Sequence, residues 1–483
     1  MKHFFRYTAF AAIIGLLTFT ACEKDDDNPG NKPAEADEIN MFIYSNMHDL
    51  YLWNKNVPAI TNSYYNTNED SLNAFLNRYP DHEKLFYDLL DNNLDGFSWI
   101  VDDYEELEAS FEGVTKSMGY NYWFVRYGTD NVLGYVRYVV KGSPADKAGV
   151  KRGDLFNKYN GQQLTMLNVN AFMSAESYTL SFATISNNTV VPIEKTANLT
   201  AIEITEDPVF LDTVYTVNNQ KIGYLVYNSF ISNYDIELNN VFQKFKNEGI
   251  SKLIVDLRYN TGGSVQSAIY LASMIYGPQT GKTFLKQQFN ELVQKEIETE
   301  AGSDYFNMNF AANIVDEKNQ PKATINSLNM TNVYIITGRH TASASESVIN
   351  GLDPYMNVVT VGDSTYGKYV GSITIYDYID QNGTIKNPNH KWAMQPIVFK
   401  ISNSLGVSDY VKGLAPKVLQ EEDITSMSQL GDLNEPLLST TVSMITGASA
   451  KSARISSGSR FKEIPLKNSL KTDMYIRNFK LIK

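Results

Sequence analysis

The 483-residue chain contains a single cysteine, Cys22, so no internal disulfide can form and its stability must come from packing. Positive charge is also in short supply. Forty-two Lys and Arg face 54 Asp and Glu, a formal net charge of −12, which argues against nucleic acid as a partner. Among the five histidines, His3, His48, His82, His340 and His390, no pair has metal-ligand spacing and none lies beside a plausible acidic ligand cluster. No catalytic metal and no cofactor are therefore expected. Internal repeats are absent. What is present is hydrophobic content of 43%, enough to exclude wholesale disorder and to support about two to four domains.

Residues 1–21 open with Lys2 and Arg6, run apolar from Ala9 through Leu17, and close on Thr20-Ala21 before Cys22. Such a run is too short to span a bilayer and reads as an export signal. With Cys22 directly after a small residue, the segment resembles a bacterial lipobox and implies a lipidated Cys22 at the mature N-terminus. An ordinary secretory signal is the alternative, because Phe19 replaces the usual aliphatic residue. Residues 22–37 form an acidic, flexible tether whose stretch Glu23–Pro33 contains no apolar side chain. An acidic run in this place resembles the surface-export tag of some Gram-negative lipoproteins, with a plain spacer as the alternative. The expected location is the bacterial cell envelope, with the lipid anchor in the outer membrane and surface exposure open.

Apolar residues Ile39, Ile43, Met47, Leu50 and Tyr51 recur at helical spacing, and a second helical stretch carries Leu72, Phe75, Leu76, Leu85, Phe86, Leu89 and Leu90. An N-terminal helical domain over 38–112 is expected. Short β runs broken by Gly and Asn, such as 122–125 and 133–136, define a β domain over 113–205. From 206 to 446 strand-like runs (222–227, 253–257, 333–336, 358–361) alternate with helical ones (236–247, 264–275, 344–352), the signature of an α/β layered domain. Residues 447–483 form a basic C-terminal segment, and from Lys451 on it carries nine basic and two acidic residues. A final strand docking through Met474, Ile476, Phe479 and Leu481 accounts for it, as does an electrostatic contact with an acidic surface.

Three segments carry chemistry. The run 252–263 reads as a buried strand ending in the pair Gly262-Gly263, where backbone N–H groups at a helix start can hold an anionic oxygen. The run 333–346 reads as strand, turn and helix, with Ser343 at the helix start among small residues that keep its Oγ accessible. Its competing reading is a plain helix cap, with Glu346 completing a capping box. Twenty-five residues later comes Lys368, between Gly367 and Tyr369-Val370. A lysine, ordinarily near ~10.4, serves as a base at neutral pH only where desolvation lowers it.

With Leu257–Gly263, Thr341–Glu346 and Thr365-Tyr366-Gly367-Lys368 in this order and at this interval, residues 39–420 resemble the C-terminal processing, or tail-specific, serine peptidases. The resemblance implies a crotonase-like α/β peptidase core. It makes Ser343 the nucleophile and Lys368 the general base, with the N–H groups of Gly263 and Ala344 as oxyanion hole. Two positions depart from the family. Ser372 stands where many members carry Gln, and Gly413-Leu414-Ala415-Pro416-Lys417 ends without the family's acid. His340, three residues before Ser343, is not expected to pair with it, since triad partners come from separate segments.

The run Val140–Asp154, with Ser143-Pro144 starting a short helix and Gly149 and Gly153 in turns, resembles the signature of bacterial PDZ domains. Such domains add a peptide C-terminus as a strand, and the matching carboxylate loop would involve Met118, Gly119 and Tyr120. Polypeptide substrates and a membrane contact through Cys22 are the partners this reading implies; oligomeric state stays open. Two rivals remain: a non-catalytic peptide-binding lipoprotein with a degenerate peptidase fold, and an envelope scaffold.

Overall fold

The computed structural model describes residues 33–380, 382–447, 461–464 and 474–476, so Cys22, the leader and most of the tether lie outside the described residues. The chain divides into two units. One holds the described residues up to Tyr104 together with Ile375–Pro396. Its helix α1, Glu38–Leu50, starts where the Asp37 carboxylate accepts the Ile39 N–H, and it buries Phe42, Ile43, Met47 and Leu50 along one stripe. Helices α2, Glu69–Leu76, and α3, His82–Asp88, are capped in the same way by Asn68 and Asp81. The strand Trp99–Val101 pairs antiparallel with Ala393–Gln395, which pairs with Ile375–Tyr376. An uninterrupted α/β domain over 206–446 does not anticipate this excursion. Strands of two or three residues carry too little periodicity to be read locally.

The second unit begins with the PDZ-like β domain: β1 (Val114–Ser117), β2 (Tyr120–Tyr127), β3 (Asn131–Val139), β4 (Leu155–Tyr159), β5 (Ser177–Ser186), β6 (Thr189–Thr200) and β7 (Ile202–Thr205). Strands β2 to β6 pair antiparallel in sequence order, and β1 pairs with β7. Phe124, Phe156, Phe172 and Leu180 fill its core. Ser143 Oγ caps the short helix Pro144–Lys147, and Gly149 and Gly153 take positive φ in the turns that follow.

The α/β core then runs β8 (Val209–Val217), β9 (Gln220–Tyr227), α4 (Asp235–Glu248), β10 (Lys252–Asp256), β11 (Gly263–Ser264), α5 (Val265–Ile275), β12 (Thr283–Phe289), β13 (Asn332–Thr337), α6 (Ala344–Leu352), β14 (Asn357–Gly362), β15 (Val370–Ile373), β16 (Ile397–Asn403), β17 (Val418–Leu419) and α7 (Pro436–Thr446). The first sheet has the order β8-β9-β10-β13-β14-β17 and is parallel from β9 onward. Helical crossovers cover such a sheet on its faces, which is why its strands read as continuous apolar runs. Two late strands complete the unit: β18 (Lys462–Glu463) joins the edge of β2, and β19 (Met474–Ile476) enters a second sheet of order β11-β19-β15-β16-β12, with the short strand Asn307–Asn309 at the far edge beside β12. The expected final strand is there at 474–476, while Phe479 and Leu481 lie outside the described residues.

A buried charge network joins the β domain to the core. Arg258, just after β10, lies 2.7 and 2.9 Å from the two Glu435 oxygens, 2.7 Å from Asp256 and 3.0 Å from Glu422. From the β domain, Arg152 reaches Glu422 at 2.6 Å and the Tyr259 hydroxyl at 2.5 Å. Burial alone would raise the Glu422 carboxyl, but Arg152 and Arg258 outweigh it and hold the group down to about 2. Its contribution to stability is therefore present above its ordinary 4.5 and lost as pH falls toward 2. Arg258→Met would leave the buried carboxylates of Asp256 and Glu435 without their close guanidinium partner, and a urea melt at pH 7 is expected to show a loss of about 3–5 kcal/mol. Lys116→Met, at the exposed Lys116–Glu176 pair, is expected to leave the midpoint in place.

Candidate active site

After β10 the chain turns through Asn260 into Gly262 and Gly263. Asn260 is fully buried and ties the turn down: its amide donates to the Tyr227 carbonyl at 2.9 Å, and its Oδ1 accepts the Gly262 N–H at 2.9 Å. Its own carbonyl accepts the Ala342 N–H and the Ser345 hydroxyl, each at 3.1 Å. One side chain and one peptide group thus fix the glycine turn against the Ser343 segment. Gly263 has φ +133°, and a Cβ there would lie 2.3 Å from the Phe230 carbonyl oxygen, so only glycine fits.

Strand β13 ends at Thr337. In the turn that follows, Thr341 donates to the Leu257 carbonyl at 2.8 Å and accepts the Gly338 N–H at 2.9 Å, bracing this turn on the end of β10. The chain then enters α6 through Ser343 at φ +60°, ψ −117°. A non-glycine residue held there stores about 1–3 kcal/mol of backbone strain, and such strain collects at functional sites. Ser343 is fully buried. By strict geometry its Oγ has no hydrogen-bond partner, the Glu346 N–H approaching it only as the loose arm of a capping box. Ala344 is the first helical residue, so its N–H has no intrahelical acceptor.

Glu346 does more than cap the helix. Its Oε2 accepts the N–H groups of Ser343 and Lys368, both at 2.8 Å, and its Oε1 accepts the Thr365 hydroxyl at 2.6 Å and the Gly367 N–H at 2.7 Å. Burial pushes the Glu346 carboxyl up to about 7, against the pull of those four donors. One buried carboxylate therefore sets the backbone of Lys368 against that of Ser343. Lys368 itself is buried, 2% exposed. Its loop is braced from behind by Leu414, whose N–H donates to Thr365 Oγ1 at 2.7 Å and whose carbonyl accepts the Thr365 N–H at 3.1 Å. The missing family acid at Lys417 does not enter that bracing.

The remaining expected residues fall as follows. His340 packs on Trp123 of β2 with ring centroids 4.4 Å apart, and its Nε2 lies 3.5 Å from Glu463, at the limit of hydrogen bonding. Burial, reinforced by Arg137, lowers it to about 4, so it is neutral at pH 7. Met118, Gly119 and Tyr120 lie at the β1–β2 turn, where the Met118 carbonyl accepts the Ala145 N–H and Tyr120 is hydrogen-bonded to Tyr178. The Met118 and Tyr120 side chains belong to the β-domain core. Ser372 turns its hydroxyl toward the Met474 carbonyl at 3.4 Å. A cavity of about 500 Å³, lined by Tyr135, Arg137, His340, Glu422 and Glu463 among others, includes neither Ser343 nor Lys368. Among the described residues no group of three or more His, Cys, Asp or Glu is arranged to hold a metal ion. The sequence reading missed Asn260 and Thr365 and saw Glu346 only as a cap. The available signal was that Glu346 is the one acid in the small-residue stretch 341–348, a place where an acid becomes buried and must be satisfied.

Family models match as peptidase family S41 over residues 221–406, as the peptidase S41 N-terminal domain over 38–99 and as a PDZ domain over 135–177. The carboxy-terminal processing protease CtpA of Bacillus subtilis (strain 168) is 25% identical over 292 residues, 60% of this chain and 53% of that protein. A CtpA-like serine protease of Staphylococcus aureus (strain COL) is 23% identical over 321 residues, 64% of this chain and 58% of that one. The match thus spans little more than half the length of these relatives. Among solved structures, an S41 protease from Bacteroides fragilis NCTC 9343 superposes with a TM-score of 0.64 at 26% identity, covering 84% of this chain and 97% of that one. With the family's own N-terminal domain, a PDZ domain and the peptidase domain in this order, the chain belongs to peptidase family S41.

Proposed function

We propose that the chain is a serine endopeptidase of the C-terminal processing type that acts on exported polypeptides captured by its PDZ domain. Ser343 is the nucleophile and Lys368 the base. The Lys368 amine takes the Ser343 proton as Oγ attacks the scissile carbonyl, and the N–H groups of Gly263 and Ala344 receive the oxyanion. Collapse expels the amine fragment, which takes the proton back from Lys368, and leaves an acyl group on Ser343. Water then attacks the ester with Lys368 again as proton acceptor, and the proton returns to Oγ as the acid leaves. The observation that carries this reading is the strained, buried Ser343 with its unpartnered Oγ, tied through Glu346 to the backbone of Lys368.

The leader, Cys22 and the acidic tether support a lipid-anchored protein of the cell envelope, held in the outer membrane. Cys22→Ser is expected to abolish incorporation of labelled fatty acid and to release the protein from the membrane fraction. A wild-type protein that takes up no lipid would overturn the anchor.

Cleavage of an unfolded reporter with an apolar C-terminal tail, by residues 22–483, is expected to vanish in both Ser343→Ala and Lys368→Ala. If the wild type leaves every tail intact while still binding it, the chain is a peptide-binding protein and not a peptidase. Glu346→Gln sets an amide donor against two donors already present. Leaving such donors unmet costs about 1–3 kcal/mol, which corresponds to a loss of about ten- to a hundredfold in kcat if it falls on the dyad geometry. A kcat that falls while KM and the circular dichroism spectrum hold would mark Glu346 as a positioning residue. An unchanged kcat would remove it from that role.

A further inference from the structure

Strand β19 does not sit on the periphery of the core. It lies between β11 and β15, parallel to both, with Met474 opposite Gly263, Tyr475 opposite Ser264 and Ser372, and Ile476 opposite Ile373. Met474 and Tyr475 are buried, and Tyr475 stacks on Phe111 with ring centroids 4.2 Å apart. The other edge of the glycine turn is occupied by Phe230: its N–H donates to the Gly262 carbonyl at 2.9 Å, and its carbonyl accepts the Ser264 N–H at 2.8 Å. Amide groups alternate sides along an extended strand. With Gly262 and Ser264 turned to Phe230, the N–H of Gly263 is turned the other way, toward β19. The strand therefore covers the donor assigned above to the oxyanion hole.

The same stretch of chain makes a second strand addition. Lys462 and Glu463 pair antiparallel with Arg126 and Val125 on the edge of β2, the strand that leaves the Met118–Tyr120 turn. Ile464 continues the pairing through its N–H to the Phe124 carbonyl at 3.1 Å and buries its side chain in the β-domain core, while Glu463 accepts the Tyr135 hydroxyl at 2.7 Å. An edge of the PDZ sheet and the groove beside the glycine turn are both places where an extended polypeptide would bind by strand addition. Both hold the protein's own segment.

We propose that the groove between β11 and β15 is the seat of the substrate strand, and that residues 474–476 fill it as an intramolecular occupant, so that the chain rests in a self-blocked state. The inference builds on the peptidase reading above. The physics of tethering makes such a block effective without tight contact, because a linked segment faces its seat at an effective concentration of about millimolar. A free polypeptide at micromolar concentration displaces it only with help from a second contact. Strand β18 on the β2 edge lies where a tail captured by the PDZ domain would compete, and loss of that pairing frees the segment that feeds β19.

The test uses residues 22–483, a variant that ends at Ile464, the full-length variant Met474→Glu, and a fluorescein-labelled peptide of residues 470–480. The peptide is expected to bind the shortened chain at least about tenfold more tightly than the full one, since the tethered copy competes. This anisotropy readout needs no turnover and can be made in the Ser343→Ala background. Reporter cleavage is expected to rise about tenfold or more in the shortened chain and in Met474→Glu, and the free peptide should inhibit the shortened chain competitively with the reporter. Peptide binding without reporter cleavage by any form would uphold the seat and overturn the peptidase reading. Cleavage that is equal or lower in both variants, with no peptide binding, would leave the peptidase reading standing and sink the self-block. If the shortened chain loses its cooperative melt, Met474→Glu decides alone: unchanged or reduced cleavage there makes β19 an ordinary strand of the core.

Discussion

The Glu346 carboxylate is the constraint on which the rest of the site depends. Two oxygens accept four donors drawn from two segments: Ser343 on one side, and Thr365, Gly367 and Lys368 on the other. A buried charge in this position is stable only because every lone pair is engaged, and the arrangement is correspondingly intolerant. If any partner moved, a buried donor would lose its acceptor. The segments therefore behave as one rigid body, although they are joined in sequence only through α6 and β14. The strained backbone of Ser343 fits the same logic, since φ +60° persists only where the surroundings over-determine it.

The same economy recurs one layer away. Asp256, Arg258 and Tyr259 lie on the run that leads from β10 to the glycine turn, and each is engaged in the network that Arg152 enters from the PDZ domain. Net stability from such ions is small, because desolvation consumes most of the attraction, while geometric specificity is large. Strand β10 is thus held in one register relative to the PDZ domain, and Gly262 and Gly263 follow five and six residues beyond Leu257. His340, neutral and packed on Trp123, adds an apolar contact to the same joint without adding a charge.

The elements legible in the sequence were those whose identity is local. Helices expected over 236–247, 264–275 and 344–352 appear as Asp235–Glu248, Val265–Ile275 and Ala344–Leu352, and the strand runs at 253–257 and 333–336 appear as Lys252–Asp256 and Asn332–Thr337. Continuous apolar runs and clear caps carry that information along the chain. What escaped was long-range. Residues 375–396 leave the core to pair with Trp99–Val101, and the two-residue strand Gly263–Ser264 takes its sheet partner from Met474–Ile476, more than two hundred residues away. The Asn260 and Thr365 contacts escaped for a related reason: a polar residue in a turn looks the same in sequence whether it meets water or a buried peptide group.

Ser372 shows how a single departure from a family pattern acquires meaning only in three dimensions. Taken as a lost orienting group for Lys368, the exchange of a long amide for a hydroxyl weakens the site. In the fold, the Ser372 hydroxyl points to the Met474 carbonyl 3.4 Å away, across the pairing of Ser372 with Tyr475. The short residue at 372 thus pairs with the strand at 474–476 and turns its hydroxyl to it. The orientation of the Lys368 backbone is supplied instead by Glu346, from the opposite side of the loop. The holding of the Lys368 backbone and the seating of the 474–476 strand are thus separate tasks, assigned to different residues.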